Sequence, residues 1–371
     1  MINKVFIKEK IFKLVQENPG ISSTRIATEI NMSRVSVYTY LQNLVSEEQI
    51  RIAGKGRATR YFPQEMEYLN TSIGISSRLT PSQVHILKME ILTGLYEKYE
   101  EYVSEDDIDT TFNQYCMYIT PDNVIHTGFT AFIFWCLDSR HDFSGNIVAK
   151  AIEYLDLIGS IIFTRNKNGF LDGTQATKAN LKNTMKVGFD LFYFCMPSVL
   201  RNGFGRTRTS LELSYGKKNS NPYLLEQAIE FWIDPIRTYA RTQWVDVCIF
   251  TPPTEGRTVQ FRDILEKKLD LRIPQIKAEK VSLFGKVLEP QKDIKDREKR
   301  VRNAMISLEV TIPRELSVYQ HILILDDSFT TGATPNAIAL RLREAGYAGK
   351  ISIITICGSF DYDLAITEDE I

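Results

Sequence analysis

What this 371-residue chain has little of narrows its class before any motif is read. It carries five cysteines, Cys116, Cys136, Cys195, Cys248 and Cys357, and no C-x-x-C pair. Single scattered cysteines exclude a disulfide scaffold and suit reduced, buried thiols in a cytosolic protein. Histidine is scarcer: His85, His126, His141 and His321. None stands at metal-ligand spacing from another His or Cys, so the pattern offers no zinc site. Neither sign of charge is in excess, with 45 basic against 46 acidic side chains and a net charge of -1. A nucleic-acid partner must therefore meet a local basic patch and not the whole surface. Long apolar runs are missing too. The longest, Phe129 to Leu137, falls short of the roughly 20 residues a membrane-spanning helix needs and reads as a buried helix. Met1-Ile2-Asn3-Lys4 leads into an amphipathic helix without the apolar core and cleavage site of a signal peptide. The expectation is a soluble, cytoplasmic protein.

What is present supports ordinary folding. A hydrophobic fraction of 43% with 25% charged residues fills normal cores, and the length suits two or three domains. The expected class is multi-domain α/β, divided into residues 1–66, 67–235 and 236–371.

Within residues 1–66, Ile7, Ile11, Leu14 and Val15 recur at helical spacing. Asn18-Pro19-Gly20 stops that helix. Ser23 is expected to cap a short helix running to Ile30, and Ser33 a third helix from Arg34 to about Glu47, buried through Val37, Tyr40, Leu41 and Leu44. Two short strands around the tip Gly54-Lys55-Gly56-Arg57 complete the unit as a hairpin. Three helices followed by a hairpin resemble a winged helix-turn-helix domain (α+β), with Met32 to Val45 similar to its recognition helix. The resemblance implies DNA or RNA–DNA as partner. Arg34, Ser36, Tyr38, Thr39 and Gln42 would face the groove, and Lys55, Arg57 and Arg60 on the wing would meet backbone or minor groove. A winged helix serving protein contact alone fits the same residues, because fold does not fix function.

Residues 67–235 read as a mainly helical connector that also dimerises, so a homo-oligomer is expected. Thr80-Pro81-Ser82-Gln83 is a helix start, with periodicity continuing to about Tyr99. Glu100 to Asp109 is acidic and reads as a solvated loop or helix face. The aromatic stretches Phe129 to Trp135 and Phe189 to Phe194 read as core and not as stacking platforms. Arg201 to Tyr223, rich in Gly, Arg, Lys, Ser and Asn, reads as an exposed loop or hairpin.

From Trp244 onward, strands Val245 to Phe250, His321 to Leu325 and Ile351 to Ile356 alternate with helices Phe261 to Leu269 and Pro335 to Ala345. That rhythm predicts a parallel sheet covered by helices. The strand ending at Leu325 runs into Asp326-Asp327-Ser328-Phe329-Thr330-Thr331-Gly332-Ala333-Thr334 and then a helix. A loop at a helix N-terminus presents backbone N–H groups to an anion, and Gly332 allows close approach. The hydroxyls of Thr330, Thr331 and Thr334 can donate to phosphate oxygens. The carboxylates suit sugar hydroxyls or a Mg²⁺ ion and not phosphate itself.

This segment resembles the phosphoribosyl pyrophosphate (PRPP) signature of type I phosphoribosyltransferases, close to the ComF-like branch. The resemblance covers about residues 240–360. It implies a parallel-sheet phosphoribosyltransferase fold, catalytic and metal roles for Asp326 and Asp327, a 5′-phosphate pocket from Thr330 to Thr334, and a Mg²⁺ cofactor. Arg257 or Arg262 after the first strand would neutralise pyrophosphate, although a plain proline turn suits Thr251 to Arg257 equally. Pro290 to Arg297 with Arg302-Asn303-Ala304 resembles a mobile loop that closes over the reactive centre, with Arg297 opposing the pyrophosphate; a solvated charged helix also fits. Purine-salvage members carry an acid where this chain has Thr330, so purine salvage is disfavoured and the acceptor stays open. A winged helix joined to such a domain resembles the effectors of bacterial retron anti-phage systems, which implies a partner protein such as a reverse transcriptase. Gram-positive purine repressors, which sense PRPP without consuming it, share the domain order but lack a counterpart to the middle region. A ComF-like protein of nucleic-acid handling would carry a four-cysteine zinc module, which is missing here.

Overall fold

Helix α1 (Ile2–Glu17) buries Ile11 and Val15 fully, as their spacing requires. The computed structural model describes residues 2–18, 20–47, 49–53, 59–63, 80–99, 105–120, 123–138, 146–253, 258–281, 297–329 and 331–358. After α1, Gly20 takes φ 81°, and its N–H donates to the Tyr61 carbonyl at 2.9 Å. A Cβ at Gly20 would come within 2.6 Å of Met89 Cβ, so both conformation and space demand glycine.

Helix α2 (Ser23–Ile30) is capped one residue earlier than expected. Ser22, not Ser23, accepts from the Arg25 N–H at 3.2 Å, while Ser23 is buried and its hydroxyl accepts from Arg34 Nε. Asn31 at φ 55° ends α2, and Ser33 caps α3 (Arg34–Ser46) as expected. Val37, Leu41 and Leu44 of α3 are fully buried. Strands β1 (Ile50–Ala53) and β2 (Arg60–Pro63) pair antiparallel, and Ile21 bridges to Tyr61 on the far side of β2. Ile11, Val15, Ile26, Val37, Leu41, Leu44, Ile50 and Tyr61 form one core, a winged helix.

Helix α4 (Pro81–Tyr99) starts on a reciprocal box: the Thr80 N–H donates to Gln83 Oε1 at 2.9 Å and the Gln83 N–H to Thr80 Oγ1 at 3.3 Å. Part of the acidic stretch opens α5 (Glu105–Tyr115), where carboxylates favour the helix N-terminus. The hairpin β3 (Met117–Ile119) and β4 (Ile125–Thr127) leads to α6 (Gly128–Leu137), whose residues Phe129 and Ala131 to Cys136 are all buried. Phe112 stacks on Phe129 with centroids 4.1 Å apart and on Tyr154 at 5.3 Å. These aromatics are core, as expected. The chain divides into compact units Met1–Gly159 and Ser160–Ile371, the division falling within α7 (Ile147–Phe163).

The second unit is built on a five-stranded sheet. In chain order its elements are β5 (Leu171–Asp172), α8 (Thr174–Leu181), β6 (Leu191–Pro197), the hairpin β7 (Val199–Leu200) and β8 (Gly205–Arg206), and helices α9 (Arg208–Lys218), α10 (Pro222–Glu230) and α11 (Ile233–Thr242). Then come β9 (Val247–Phe250), α12 (Phe261–Leu269), β10 (Ala278–Lys280), α13 (Arg297–Ser307), β11 (Leu308–Val310), β12 (His321–Phe329), α14 (Ala333–Glu344) and β13 (Lys350–Gly358). The strand order is β5-β6-β13-β12-β9. Strands β6, β13, β12 and β9 run parallel and β5 antiparallel. β10 and β11 form a separate ribbon.

Two expectations for the middle region change here. Residues 67–235 are not a connector separate from the sheet, because β5 and β6 belong to it and β6 lies beside β13. Arg201 to Tyr223 begins in the expected hairpin, where β7 and β8 pair, but α9 then takes the place of an exposed loop, with Thr207 accepting at its first turn from the Ser210 N–H.

Candidate functional site

The sheet has one point where its chain reverses direction. After β9 the chain passes through α12 to Gln275, which bridges Cys248 in parallel on the outer side of β9. After β12 it passes through α14 to β13 on the opposite side. The carboxyl ends of β9 and β12 therefore flank a topological switch point, where open α/β sheets bind ligands.

Asp326 and Asp327 stand at that point, six and seven residues into β12. Thr251, just past β9, donates its hydroxyl to Asp326 Oδ1, which also accepts the Asp327 N–H at 2.9 Å. Asp327 accepts from Lys217 of α9 and, at 2.9 Å, from the Ser328 hydroxyl. Lys280 at the end of β10 adds a second cation that feels both carboxylates.

Burial and the neighbouring Asp327 charge push the Asp326 carboxyl well above its usual range. Burial also raises Asp327, but the Lys217 charge and the hydrogen bonds from Lys217 and Ser328 outweigh it and hold Asp327 below the usual range. Burial lowers Lys280, and the two carboxylates oppose that shift. The result is a pair divided into one protonatable and one ionised acid, an arrangement met where carboxylates do chemical work and also in structural ion-pair networks.

The loop after β12 turns at Gly332, φ 72°, directly into α14. The Thr331 hydroxyl accepts from the Ala333 N–H at 3.3 Å. Gly332 and Ala333 are buried, and Thr331 and Thr334 half-buried. A Cβ on Gly332 would come within 2.7 Å of Thr177 Cγ2 on α8, so only glycine fits between that helix and the turn. Thr330 lies outside the described residues, as do Arg257 and residues 290–296. Arg297 is the first residue of α13. Arg262 pairs with its neighbour Asp263 on α12.

Three residues at the site were not assigned a role from sequence: Thr251, Lys217 and Lys280. Lys217 reaches Asp327 across 110 residues of chain, and no local pattern marks such a pair. The segment carrying it crosses the same edge of the sheet. The Ser198 N–H donates to the Gly358 carbonyl at 2.6 Å, and Thr207 Oγ1 to the Pro197 carbonyl at 2.8 Å.

In the first unit, α3 presents an outward stripe. Val35 is 79% exposed and Tyr38 51%, and Thr39 lies beside them with its hydroxyl turned back on the Val35 carbonyl at 3.2 Å. Arg34 is exposed but donates to Ser23, and Ser36 shares a hydrogen bond with the cap Ser33 at 2.8 Å, so both also serve the helix start. Arg60 donates to the Thr59 carbonyl at 3.1 Å. Lys55 and Arg57 lie outside the described residues.

A family model of winged helix-turn-helix DNA-binding domains matches residues 7–51. The match runs from within α1 to the start of β1, so residues 7–51 are a winged helix-turn-helix of the DNA-binding kind. No curated protein matches the chain. Among the described residues no helix is long and apolar enough to cross a membrane.

Proposed function

We propose that the chain is a PRPP-dependent phosphoribosyltransferase held to nucleic acid by its winged helix. The observation that carries this reading is the divided acid pair Asp326 and Asp327 at the switch point, followed by a helix entered through Gly332 at φ 72°. In this reading the ionised carboxylate and its protonated neighbour bind the ribose hydroxyls. The N–H groups and threonine hydroxyls of the turn at Thr331 to Thr334 receive the 5′-phosphate. Two adjacent carboxylates at an open edge fit a Mg²⁺ ion that keeps water and substrate oxygens among its ligands. That ion would share the charge of the pyrophosphate. Lys217 and Lys280 stand ready to exchange a carboxylate partner for the leaving group, which is electrostatic stabilisation where charge develops. The acceptor would approach C1 from the face opposite the pyrophosphate.

A PRPP-sensing, non-catalytic transcription regulator is the second reading, and the winged helix at residues 7–51 favours it equally. Turnover separates the two. Purified protein would be given PRPP, Mg²⁺ and a panel of nucleobases, nucleotides and nucleic acids, beside the Asp326→Asn/Asp327→Asn double variant. Pyrophosphate release above that control supports the enzyme and names its acceptor class. Saturable PRPP binding that changes DNA affinity without release supports the regulator. The resemblance to retron effectors adds a partner protein to the enzyme reading, and co-purification with a reverse transcriptase would test it.

A further inference from the structure

Among the described residues of the winged helix, Val35 is the most exposed large apolar side chain, at 79%. Its position is unusual for what it costs. A β-branched residue is a poorer helix former than the polar residues that normally fill an exposed helix position. It lies two residues after the cap Ser33, in the first turn of α3. In helix-turn-helix proteins that turn is the part of the recognition helix nearest the base edges in the major groove. Tyr38, one turn later on the same face, is half exposed.

We infer that Val35 reads the 5-methyl group of a thymine in the major groove. Its isopropyl group has no hydrogen-bonding atom, and the thymine methyl is the one apolar feature a base pair shows in that groove. The surroundings fit duplex DNA as the occupant. Residues 1–63 carry ten basic and five acidic side chains, and α3 carries no acid at all. Arg34 and Ser36 flank Val35 with groups suited to phosphate or a polar base edge. The inference rests on the DNA-binding reading of residues 7–51 and deepens it to one base and one side chain.

The test begins with selection of duplexes from a random library by the full-length protein. The best duplex is then resynthesised with each thymine replaced in turn by deoxyuridine, which removes only the methyl. Binding should weaken about fourfold at one thymine per recognition helix, the effect of leaving one methyl unburied. Val35→Ala should bind the thymine and uracil duplexes equally. Because Val35 is exposed and alanine is the better helix former, this variant should melt at or slightly above the wild type, which a thermal scan checks. Enrichment of a duplex with every deoxyuridine substitution neutral, or a Val35→Ala variant still sensitive to the methyl, overturns the inference and leaves DNA binding intact. A library that never enriches overturns both. If Val35→Ala instead lowers the sedimenting mass and leaves DNA affinity untouched, the face is a protein interface and the inference fails.

Discussion

Lys217 on α9 pairs with Asp327 at the end of β12, and the pair sits where β9 and β12 part. The side chains keep 21% and 31% of their surface exposed, so the ion pair is open to exchange with an incoming ligand. Removing the cation should change how the two acids titrate. In Lys217→Met, burial and the mutual repulsion of the carboxylates are opposed mainly by the hydrogen bonds from Thr251, Ser328 and the backbone, and the pair should take up a proton more readily. The acid limb of pyrophosphate release, or of Mg²⁺ binding if there is no turnover, should move to higher pH. An unchanged limb would mean that Lys217 only packs against the site.

Gly332→Ala tests the turn. Its φ of 72° costs a side chain about 1–2 kcal/mol, and the new Cβ would meet Thr177 Cγ2 at 2.7 Å. The variant should melt lower and lose PRPP affinity. Thr177→Ala, added to it, should recover part of the stability by relieving the contact, but not the part due to φ. Calorimetric titration with PRPP and a thermal scan read the two effects separately.

His321 makes stability depend on pH. Its Nδ1 lies 2.9 Å from the Gln243 carbonyl and its Nε2 2.8 Å from the Ser352 hydroxyl, to which Tyr239 also donates at 2.8 Å. A neutral ring donating from Nδ1 and accepting at Nε2 satisfies every partner, by assignment from the network. Burial, aided by the Lys350 charge, pulls its pKa down, against the Gln243 carbonyl and the charges of Asp246 and Asp190. A depressed pKa gives stability that is present above the unfolded value of about 6.5 and lost as pH falls toward the folded one. Wild type should therefore lose more melting temperature between pH 7 and pH 5 than His321→Gln. Parallel curves would mean that the ring takes up its proton as readily in the fold as in the unfolded chain.

Much of the second unit was legible because its signals are local. Helix α12 falls on Phe261 to Leu269 as read, and β12 holds the apolar run His321 to Leu325 as read, although it continues through the paired acids to Phe329. Strand β6 was not legible. Leu191 to Pro197 has no alternation, because both of its faces are covered, and a short apolar run does not reveal whether it is strand or buried helix. The same limit hid the extent of the sheet, and with it the α9 segment that brings Lys217 to the site. Ser22 and Ser23 differ only in which hydroxyl the packing of Arg34 claims, information that lies in α3 and not beside the cap.

The wing gives an electrostatic prediction. Arg57→Ala should weaken duplex binding at low salt and reduce the slope of log affinity against log salt by about one unit if it contacts a phosphate. Fluorescence anisotropy across a salt series measures both. Equal slopes for wild type and variant would remove Arg57 from the interface.

Asp326 supplies the last prediction, in which function and stability part. Burial and the charge of Asp327 raise its carboxyl to about 7. The folded protein therefore binds a proton there that the unfolded chain, with a carboxyl near 3.9, releases. By linkage this group loses the fold stability as pH rises from about 4 to about 7, and the loss is complete above that. Asparagine can still accept the Thr251 hydroxyl, yet it carries no charge. Asp326→Asn should thus melt higher than wild type at pH 8, with the difference shrinking toward pH 5, while PRPP binding weakens. An acid kept at a cost in stability is expected where a site is retained for its chemistry. If Asp326→Asn were no more stable at pH 8 and bound PRPP as before, the acid pair would be an ordinary ion-pair network and the proposed site would fall with it.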